Sequence, residues 1–432
     1  MSATRVEDSG LVRAVSRWQL VGLAINDVVG SGVYLLPAAA AALLGAASVW
    51  AVMLAGFAVL LLVLCFAEAS SYFDQPGGAY LYTREAFGPF IGFEVGWMTW
   101  LARVASIASL SNGLALAVAY FWPGAAAGWG RAGVIAGLIL IFAAINVQGV
   151  TGGARTAVVL VVTKMMPLVF FVIVGAFFVD TSAFGFEMPP LNTLGKSALL
   201  LLFAYAGFEN TPAAAGEYKN PRSDVPFALL SMILIVTLVY SGVQIVALGT
   251  LPDLAHASSP LAAAAGRFAG HWGALLLTVG AVLSIAGNVG NTTLIAPRYL
   301  YALAADGYGP RWLAGIHPRF RTPAAAIVGQ TLIVLVLALS GSFVELAILS
   351  VIARLATYIG TAAAVPVLRR RFANRSGAVR LPGGAAIPVA ALLIAIALLA
   401  SARPANLIGA AAALAFGALI YLFRRSVSVA KA

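Results

Sequence analysis

Long runs of apolar residues follow one another along almost the whole chain, separated by short polar stretches. A helix needs about 20 apolar residues to cross the hydrocarbon core of a bilayer, which is about 30 Å thick. With that length as the measure, the pattern predicts an all-α integral membrane protein of about twelve spans, with no soluble domain. The predicted spans begin near Trp18, Val49, Phe87, Ala132, Thr156, Ser197, Phe227, Trp272, Pro323, Phe343, Gly384 and Pro404.

Two of the apolar segments are interrupted near their middle by glycine and polar residues. The first interruption reads NDVVGSGVY over residues 26–34, and the second reads AYAGFE over residues 204–209. Because an unpaired backbone N–H or C=O is costly inside a bilayer, a helix break is tolerated only where it lines a cavity. Breaks in two corresponding segments are typical of the substrate site of a secondary transporter. We therefore expect both breaks to face one substrate site.

The composition agrees with a polytopic membrane protein. Of the 432 residues, 62% are hydrophobic and 9% are charged, and the mean hydropathy is +0.97. The net charge of +11 does not indicate nucleic acid, because most of the basic residues outside the spans fall in the inner loops when the N-terminus is placed inside. This bias predicts that both termini are cytoplasmic. The alanine runs and the excess of arginine over lysine are typical of a GC-rich bacterial genome, so we expect a multi-pass protein of a bacterial cytoplasmic membrane. The outer loops carry only Arg131, Lys196, Arg267 and Arg403.

Several other classes of protein are excluded. Residues 195–197 read GKS, but Pro190 stands where a phosphate loop needs its first glycine, so we predict no ATP-driven pump. Cys65 has no second thiol to pair with. The motifs HExxH and GxSxG do not occur, so we predict a protein that is not an enzyme. We also predict no metal site and no other cofactor, because the histidines lie in predicted loops without metal-ligand spacing. They are His256, His271 and His317.

Lys164 is the leading candidate among the charged residues inside the spans. It lies in the fifth span, about a third of the way from its inner end, which is too deep for its ammonium to reach the surface easily. An ammonium at that depth needs carbonyl or carboxylate partners. A fixed cation there can take the place of a sodium ion at a broken helix. The alternative is a structural lysine satisfied by carbonyl groups.

Two acidic residues flank the breaks. Asp27 lies three residues before Gly30, and Glu209 lies two residues after Gly207. Either is a candidate to accept a proton or to pair with a cation such as Lys164. For Asp27 the alternative is a structural role at the helix end. For Glu209 we expect hydrogen bonds that stabilise the unwound segment.

Other polar residues inside the spans have structural alternatives. Arg103 in the third span and Arg354 in the tenth are expected to hold helices together, and Arg354 shares a helix face with Ser350 and Tyr358 at offsets of four. The eighth span carries a polar stripe, which either lines a cavity or joins two helices. The stripe consists of Ser284, Asn288 and Asn291 or Thr292.

Ordered motifs from the first to the ninth span resemble one known family. Taken together, they are similar to the amino acid–polyamine–organocation superfamily, and in particular to its amino acid permeases. The resemblance is specific for the superfamily and much weaker for the substrate. The motifs are GSGVYLLP at 30–37, AE at 67–68, PGGAY at 76–80, FAYAGFENTPAAAGEYKNP at 203–221, RYLYA at 298–302, DG at 306–307 and HPRF at 317–320.

The resemblance implies a LeuT-type fold that works by alternating access around a site at the middle of the membrane. In that fold, two five-helix repeats of inverted topology cover residues 18–180 and 194–368, and helices one and six are discontinuous. Two accessory helices follow at 384–423. The tails at 1–17 and 424–432 are then cytoplasmic.

The resemblance also implies the substrate site. Backbone N–H groups of the first break lie at the N-terminus of a half-helix, where the positive end of the helix dipole suits an α-carboxylate. Carbonyl groups at 203–206 end the other half-helix and suit the α-amino group. Phe203 matches the position of an aromatic gate, and Phe208 is expected to wall the side-chain pocket. The substrate-binding candidates are Gly30, Ser31, Gly32, Phe203, Ala204, Tyr205, Ala206, Gly207 and Phe208.

Lys164 matches a fifth-helix lysine that is found in proton-coupled permeases and in some exchangers. There the ammonium stands where sodium-driven relatives bind the ion, and it faces the first helix and a serine of the eighth. Ser284 is the candidate for that serine, with Asn288 as the second choice. Asp27 departs from the family pattern, in which asparagine or a small residue is common. This extra acid favours a cationic substrate, or it pairs with Lys164.

The sequence therefore predicts a proton-coupled amino acid permease, with a neutral substrate slightly preferred because no acidic cluster stands out beyond Asp27 and Glu209. A sodium-independent exchanger of amino acids or polyamines is the alternative. A more remote one is an amino acid sensor on a transporter fold, although the short loops carry no signalling domain. The expected partners are the substrate, the proton and the lipid bilayer. The sequence predicts neither which amino acid is carried nor the oligomeric state.

Overall fold

The computed structural model describes residues 15–75, 77–149, 154–184, 189–375 and 377–429. It describes only the backbone, and not the side chains, of residues 154–160, 214, 216, 217 and 424–429. Pro76 of the PGGAY motif and most of the predicted N-terminal tail lie outside the described residues.

The described part of the chain is helical, as predicted, with one isolated bridge that pairs Val15 with Tyr218. A 3₁₀ segment, Phe208–Glu217, follows α8. The α-helices are α1 (Arg17–Val28), α2 (Ser31–Leu44), α3 (Ser48–Ser71), α4 (Gly78–Phe87), α5 (Pro89–Val118), α6 (Gly128–Gln148), α7 (Ala154–Gly175), α8 (Leu191–Tyr205), α9 (Pro221–Thr250), α10 (Pro260–Ala305), α11 (Ala324–Ser340), α12 (Phe343–Arg371), α13 (Ala386–Ala400) and α14 (Pro404–Val429).

The helix starts agree with the predicted spans to within six residues, with one exception. That exception is α10, which begins at Pro260 and bends at Gly270, close to the predicted start at Trp272. Eight segments among the described residues are long and apolar enough to cross a membrane, and three shorter apolar helices accompany them. The integral membrane class is therefore confirmed, and the count of twelve spans stays a prediction.

The halves of the broken segments pack against the long helices. α3 packs against α8 and α9, while α1 packs against α7 and α9. α5 packs against α10, α11 and α12, and α12 also packs against α3 and α8. Large apolar side chains remain exposed on the outside, among them Leu238, Val336 and Phe423. A lipid-facing surface accounts for them, because lipid leaves no drive to bury apolar side chains inside the protein.

Both predicted helix breaks are present. The first separates α1 from α2 at Val29 and Gly30, and Gly30 has φ −135° and ψ −141°, outside the helical region. The second follows α8, where Ala206 is extended and Gly207 has φ +126°. A φ of that sign strains residues that carry a Cβ, so glycine is the residue suited to this position. Each break leaves backbone groups without their helical partners.

Candidate functional site

The two breaks line one small polar cavity in the middle of the protein. Measured for the centre of a water-sized sphere, the cavity has a volume of about 20 Å³. A single water needs about 10–15 Å³ on that measure, so the cavity as it stands is closed to anything as large as an amino acid. Six of the predicted substrate-binding residues line the cavity: Gly30, Ser31, Gly32, Phe203, Ala206 and Gly207.

Three predicted site residues of α8 and its 3₁₀ segment do not line this cavity. Tyr205 donates its hydroxyl to the carbonyl of Val52, at 3.2 Å. Phe208 is fully buried and stacks on Tyr358. The carbonyl of Ala204 accepts a hydrogen bond of 3.1 Å from the hydroxyl of Tyr240, so a protein donor already occupies one of the carbonyl groups proposed for the α-amino group.

The N-terminus of α2 is the part of the cavity wall whose chemistry suits an anion. Gly30, Ser31 and Gly32 open a helix of 14 residues, and the first N–H groups of a helix have no partner within it. The Ser31 side chain is fully buried, and its hydroxyl has no hydrogen-bond partner among the described residues. Free N–H groups and the positive end of the helix dipole together favour a carboxylate at this position.

The two breaks touch each other through glycines. A Cβ built on Gly32 would lie 2.5 Å from the Cα of Ala204, and one built on Gly207 would lie 2.4 Å from the carbonyl oxygen of Asp27. Real Cβ contacts essentially never fall below 3.0 Å. The backbones of the two half-helices therefore meet directly, without side chains between them.

Lys164 lies against the first break, with its side chain buried inside the protein. Its ammonium donates to the carbonyl of Asn26 at 3.1 Å and to the carbonyl of Val29 at 3.3 Å. The hydroxyl of Ser284 donates to the same Val29 carbonyl, at 3.2 Å. The end of α1 frees these carbonyl groups from helical partners, and the ammonium and the hydroxyl donate to them instead.

The polar stripe of α10 faces the same break. Asn288 donates its side-chain N–H to the carbonyl of Asp27 at 3.1 Å, and Asn291 donates to the Asp27 carboxylate. Thr292 donates to Asn288 at 3.3 Å, and both of these residues line the cavity. Among the ion pairs of the described residues, none joins Asp27 to Lys164 within 4.0 Å. Asp27 is held by amides at the helix end.

Glu209 organises the second break. Its carboxylate accepts hydrogen bonds from the N–H of Gly207 at 3.0 Å and from the hydroxyl of Tyr358 at 3.1 Å. It also forms an ion pair with Arg354, whose Nε donates to the Ser350 hydroxyl at 3.2 Å. The spacing predicted one shared helix face for Ser350, Arg354 and Tyr358. These side chains and Glu209 form one connected group that holds the unwound segment in place.

Breaking this ion pair is expected to destabilise the protein. Arg354→Met leaves the buried carboxylate of Glu209 without its counter-charge, which costs about 3–5 kcal/mol of unfolding free energy. Thermal unfolding in detergent measures the effect. Asp253→Asn is the control, because Asp253 pairs with His256 on the surface, where ion pairs contribute little. Equal melting temperatures for Arg354→Met and the wild type would contradict the expectation.

Both buried arginines line the cavity, although the sequence analysis expected them only to hold helices together. Arg354 is neutralised by Glu209. Arg103 is 1% exposed and lies over the ring of Tyr299, with 4.6 Å from its Cζ to the ring centroid. It donates one hydrogen bond of 3.3 Å to the Tyr299 hydroxyl. Its Nε has no partner in the described part of the chain.

Two buried carboxylates of α3 and α5 were given no role from the sequence, although a charge within an apolar run was the signal for both. Glu68 of α3 accepts both arms of the Arg369 guanidinium, each at 2.6 Å, and the N–H of Leu381 at 3.0 Å. This group joins α3 to α12 and to the segment that follows it. Glu94 of α5 is buried against Gly417 of α14, and neither of its oxygens has a hydrogen-bond partner among the residues that the structure describes.

Comparison with known proteins identifies the family. The family model described as amino acid permease matches residues 15–423, which is nearly the whole chain. The chain belongs to the amino acid permease family. The predicted resemblance is thereby confirmed, and the protein is a multi-pass membrane transporter of this family, not an enzyme.

Curated relatives resemble the permease over most of their length. The serine/threonine exchanger SteT of Bacillus subtilis (strain 168) is 28% identical over 89% of this chain and 90% of its own. The branched-chain amino acid permease BcaP of the same organism is 27% identical over 92% of this chain and 90% of its own. The methylthioribose transporter of that organism is 27% identical over 98% of this chain and 96% of its own. Their different names show that this family varies in the molecules that its members carry.

Proposed function

We propose that this permease carries amino acids across a bacterial cytoplasmic membrane by proton symport and alternating access. The observation that carries the proposal is the contact of the Lys164 ammonium with the carbonyl groups of Asn26 and Val29. A fixed cation at these carbonyl groups leaves no place for a sodium ion. A lysine can also gain and lose a proton as its surroundings change, which is what proton coupling needs.

In the proposed substrate pose, the N-terminus of α2 receives the α-carboxylate, and the free carbonyl groups around Ala206 receive the α-amino group. The charges that line the cavity determine which side chains a bound amino acid can carry. The Arg103 guanidinium lines the cavity wall and has no carboxylate within 4.0 Å among the described residues, and like charges repel strongly where water is excluded. We therefore propose neutral or acidic amino acids as substrates, and not cationic ones.

A sodium-independent exchanger remains the second candidate. It is favoured by the similarity to the serine/threonine exchanger SteT over most of both chains. An ammonium fixed at the first break suits an exchanger equally well. In that mechanism the cation only satisfies the free carbonyl groups at the end of α1 and carries no proton across the membrane. For either mechanism we propose that both termini are cytoplasmic, on the basis of the inner-loop arginines and lysines.

Uptake into proteoliposomes tests the proposal. The purified protein is reconstituted into vesicles without internal amino acid, and a panel of radiolabelled amino acids is supplied together with an inward proton gradient. For symport of one proton, a gradient of one pH unit provides about 1.4 kcal/mol, so we expect about tenfold accumulation. An uncoupler should collapse it. Uptake that appears only in preloaded vesicles would instead establish the exchanger.

A further inference from the structure

Among the described residues, Arg103 is the one cation of the cavity whose hydrogen-bonding capacity is largely unused. Its side chain is buried in α5, its Nε has no partner among the described residues, and its one hydrogen bond to a described residue, the Tyr299 hydroxyl, is long at 3.3 Å. The planar guanidinium is the side chain best suited to bind a carboxylate through two parallel N–H donors. A buried guanidinium without such a partner is costly.

The other two cations of the site are already satisfied. Arg354 has Glu209 and the hydroxyl of Ser350, and Lys164 has two carbonyl groups. The ion pairs of the described residues give Arg103 no carboxylate within 4.0 Å. The Asp27 carboxylate, which lines the same cavity, accepts a hydrogen bond from Asn291.

While Lys164 is protonated, the formal charges of the site leave one positive charge in excess. Lys164, Arg103 and Arg354 are cationic, whereas Asp27 and Glu209 are anionic. A neutral amino acid is a zwitterion and leaves this excess unchanged. An amino acid with an acidic side chain carries one more negative charge and neutralises it, which is favourable where water is excluded.

The positions of the two anion-binding groups agree with a molecule that has two carboxylates. The N-terminus of α2 and the side chain of Arg103 belong to different helices and line the same cavity. Arg103, Ser106 and Leu110 have helical spacing and all line the cavity, so α5 turns this face to the site. One carboxylate can lie on the N–H groups of α2 while the other lies on Arg103.

We propose that Arg103 binds the side-chain carboxylate of the substrate, and that the permease is selective for acidic amino acids. The inference rests on the proposed function and narrows its substrate class. Arg103 thereby sets specificity at the side-chain end, while the first break holds the α-carboxylate.

Acidic amino acids and their amides form the test, because each pair is nearly equal in size. Uptake and competition are measured in proteoliposomes with L-glutamate against L-glutamine and with L-aspartate against L-asparagine. A hydrogen bond to a charged group contributes about 1.5–3 kcal/mol, so the wild type should prefer each acid by about 10- to 100-fold. Arg103→Gln should remove this preference and retain uptake of glutamine, and Arg103→Lys should keep part of it.

The control is Arg311→Gln, which removes an exposed arginine outside the cavity and should preserve the preference. Should Arg103→Gln fail to fold, the thermal shift of the wild type by glutamate against glutamine decides the question without a variant. A wild type that carries neutral amino acids and excludes acidic ones overturns the inference and leaves the proposed function standing. Equal loss of neutral and acidic uptake in Arg103→Gln overturns it too, because Arg103 would then hold the α-carboxylate. Transport of no amino acid overturns both proposals.

Discussion

Lys164→Ala is expected to abolish the accumulation of substrate that a proton gradient drives. The variant should fall from about tenfold accumulation at one pH unit to simple equilibration across the vesicle membrane. The reason is the position of the ammonium, which supplies the only side-chain cation at the carbonyl groups of Asn26 and Val29 in the described structure. Without it, no titratable side chain of the described residues donates to these two carbonyl groups.

Binding is expected to survive in part, because the N-terminus of α2 does not depend on the lysine. The carbonyl of Val29 keeps its hydrogen bond from Ser284. Binding of the substrate to Lys164→Ala in detergent therefore separates loss of coupling from loss of folding. Ser284→Ala should give an intermediate phenotype, since it removes one of the two donors to Val29.

Lys196→Ala is the matched control for the loss of a lysine. Lys196 is exposed at the predicted outer surface, and its replacement should leave accumulation unchanged. Full accumulation by Lys164→Ala would eliminate the lysine as the coupling group. A normal rate of counterflow in that variant, together with no net uptake in the wild type, would favour exchange.

The helix breaks could be predicted from sequence because they are local. Glycine and polar residues within an apolar run conflict with an uninterrupted membrane helix, and the structure confirms a break at Gly30 and another at Gly207. The hydrogen-bonded face of Ser350, Arg354 and Tyr358 followed from helical spacing alone. Spacing within one helix fixes which side chains share a face, and that information is written in the sequence.

The partners across helices could not be predicted in the same way. Nothing in the sequence indicates that Tyr240 of α9 donates to the carbonyl of Ala204, or that Arg103 of α5 lies over Tyr299. These contacts depend on how helices cross, which residue spacing does not determine. For this reason Arg103 was expected to join helices, whereas its place in the cavity wall is visible only in three dimensions. The roles of the site residues in binding and coupling stay predictions.

Gly32→Ala is expected to disrupt the site even though it adds a single methyl group. The Cβ would lie 2.5 Å from the Cα of Ala204, so the two half-helices must separate to accommodate it. Overpacking of this kind costs about 1–3 kcal/mol. Because the strain falls on the contact between the two breaks, we expect substrate affinity to fall by about 5- to 150-fold, which is the same cost expressed as a ratio. Gly32→Leu should abolish binding.

Gly22→Ala provides the matched control, since it adds the same methyl group on the neighbouring half-helix. There the Cβ would meet only the side chain of Val161, at an ordinary 3.9 Å. Replacing glycine by alanine inside a helix is favourable by about 0.5–1 kcal/mol, so this variant should bind and transport as well as the wild type. Melting temperature and substrate affinity are measured for both variants. If Gly32→Ala bound substrate like Gly22→Ala, the half-helices would not be in backbone contact when the substrate binds, and the α-carboxylate would have to be held elsewhere than at the start of α2.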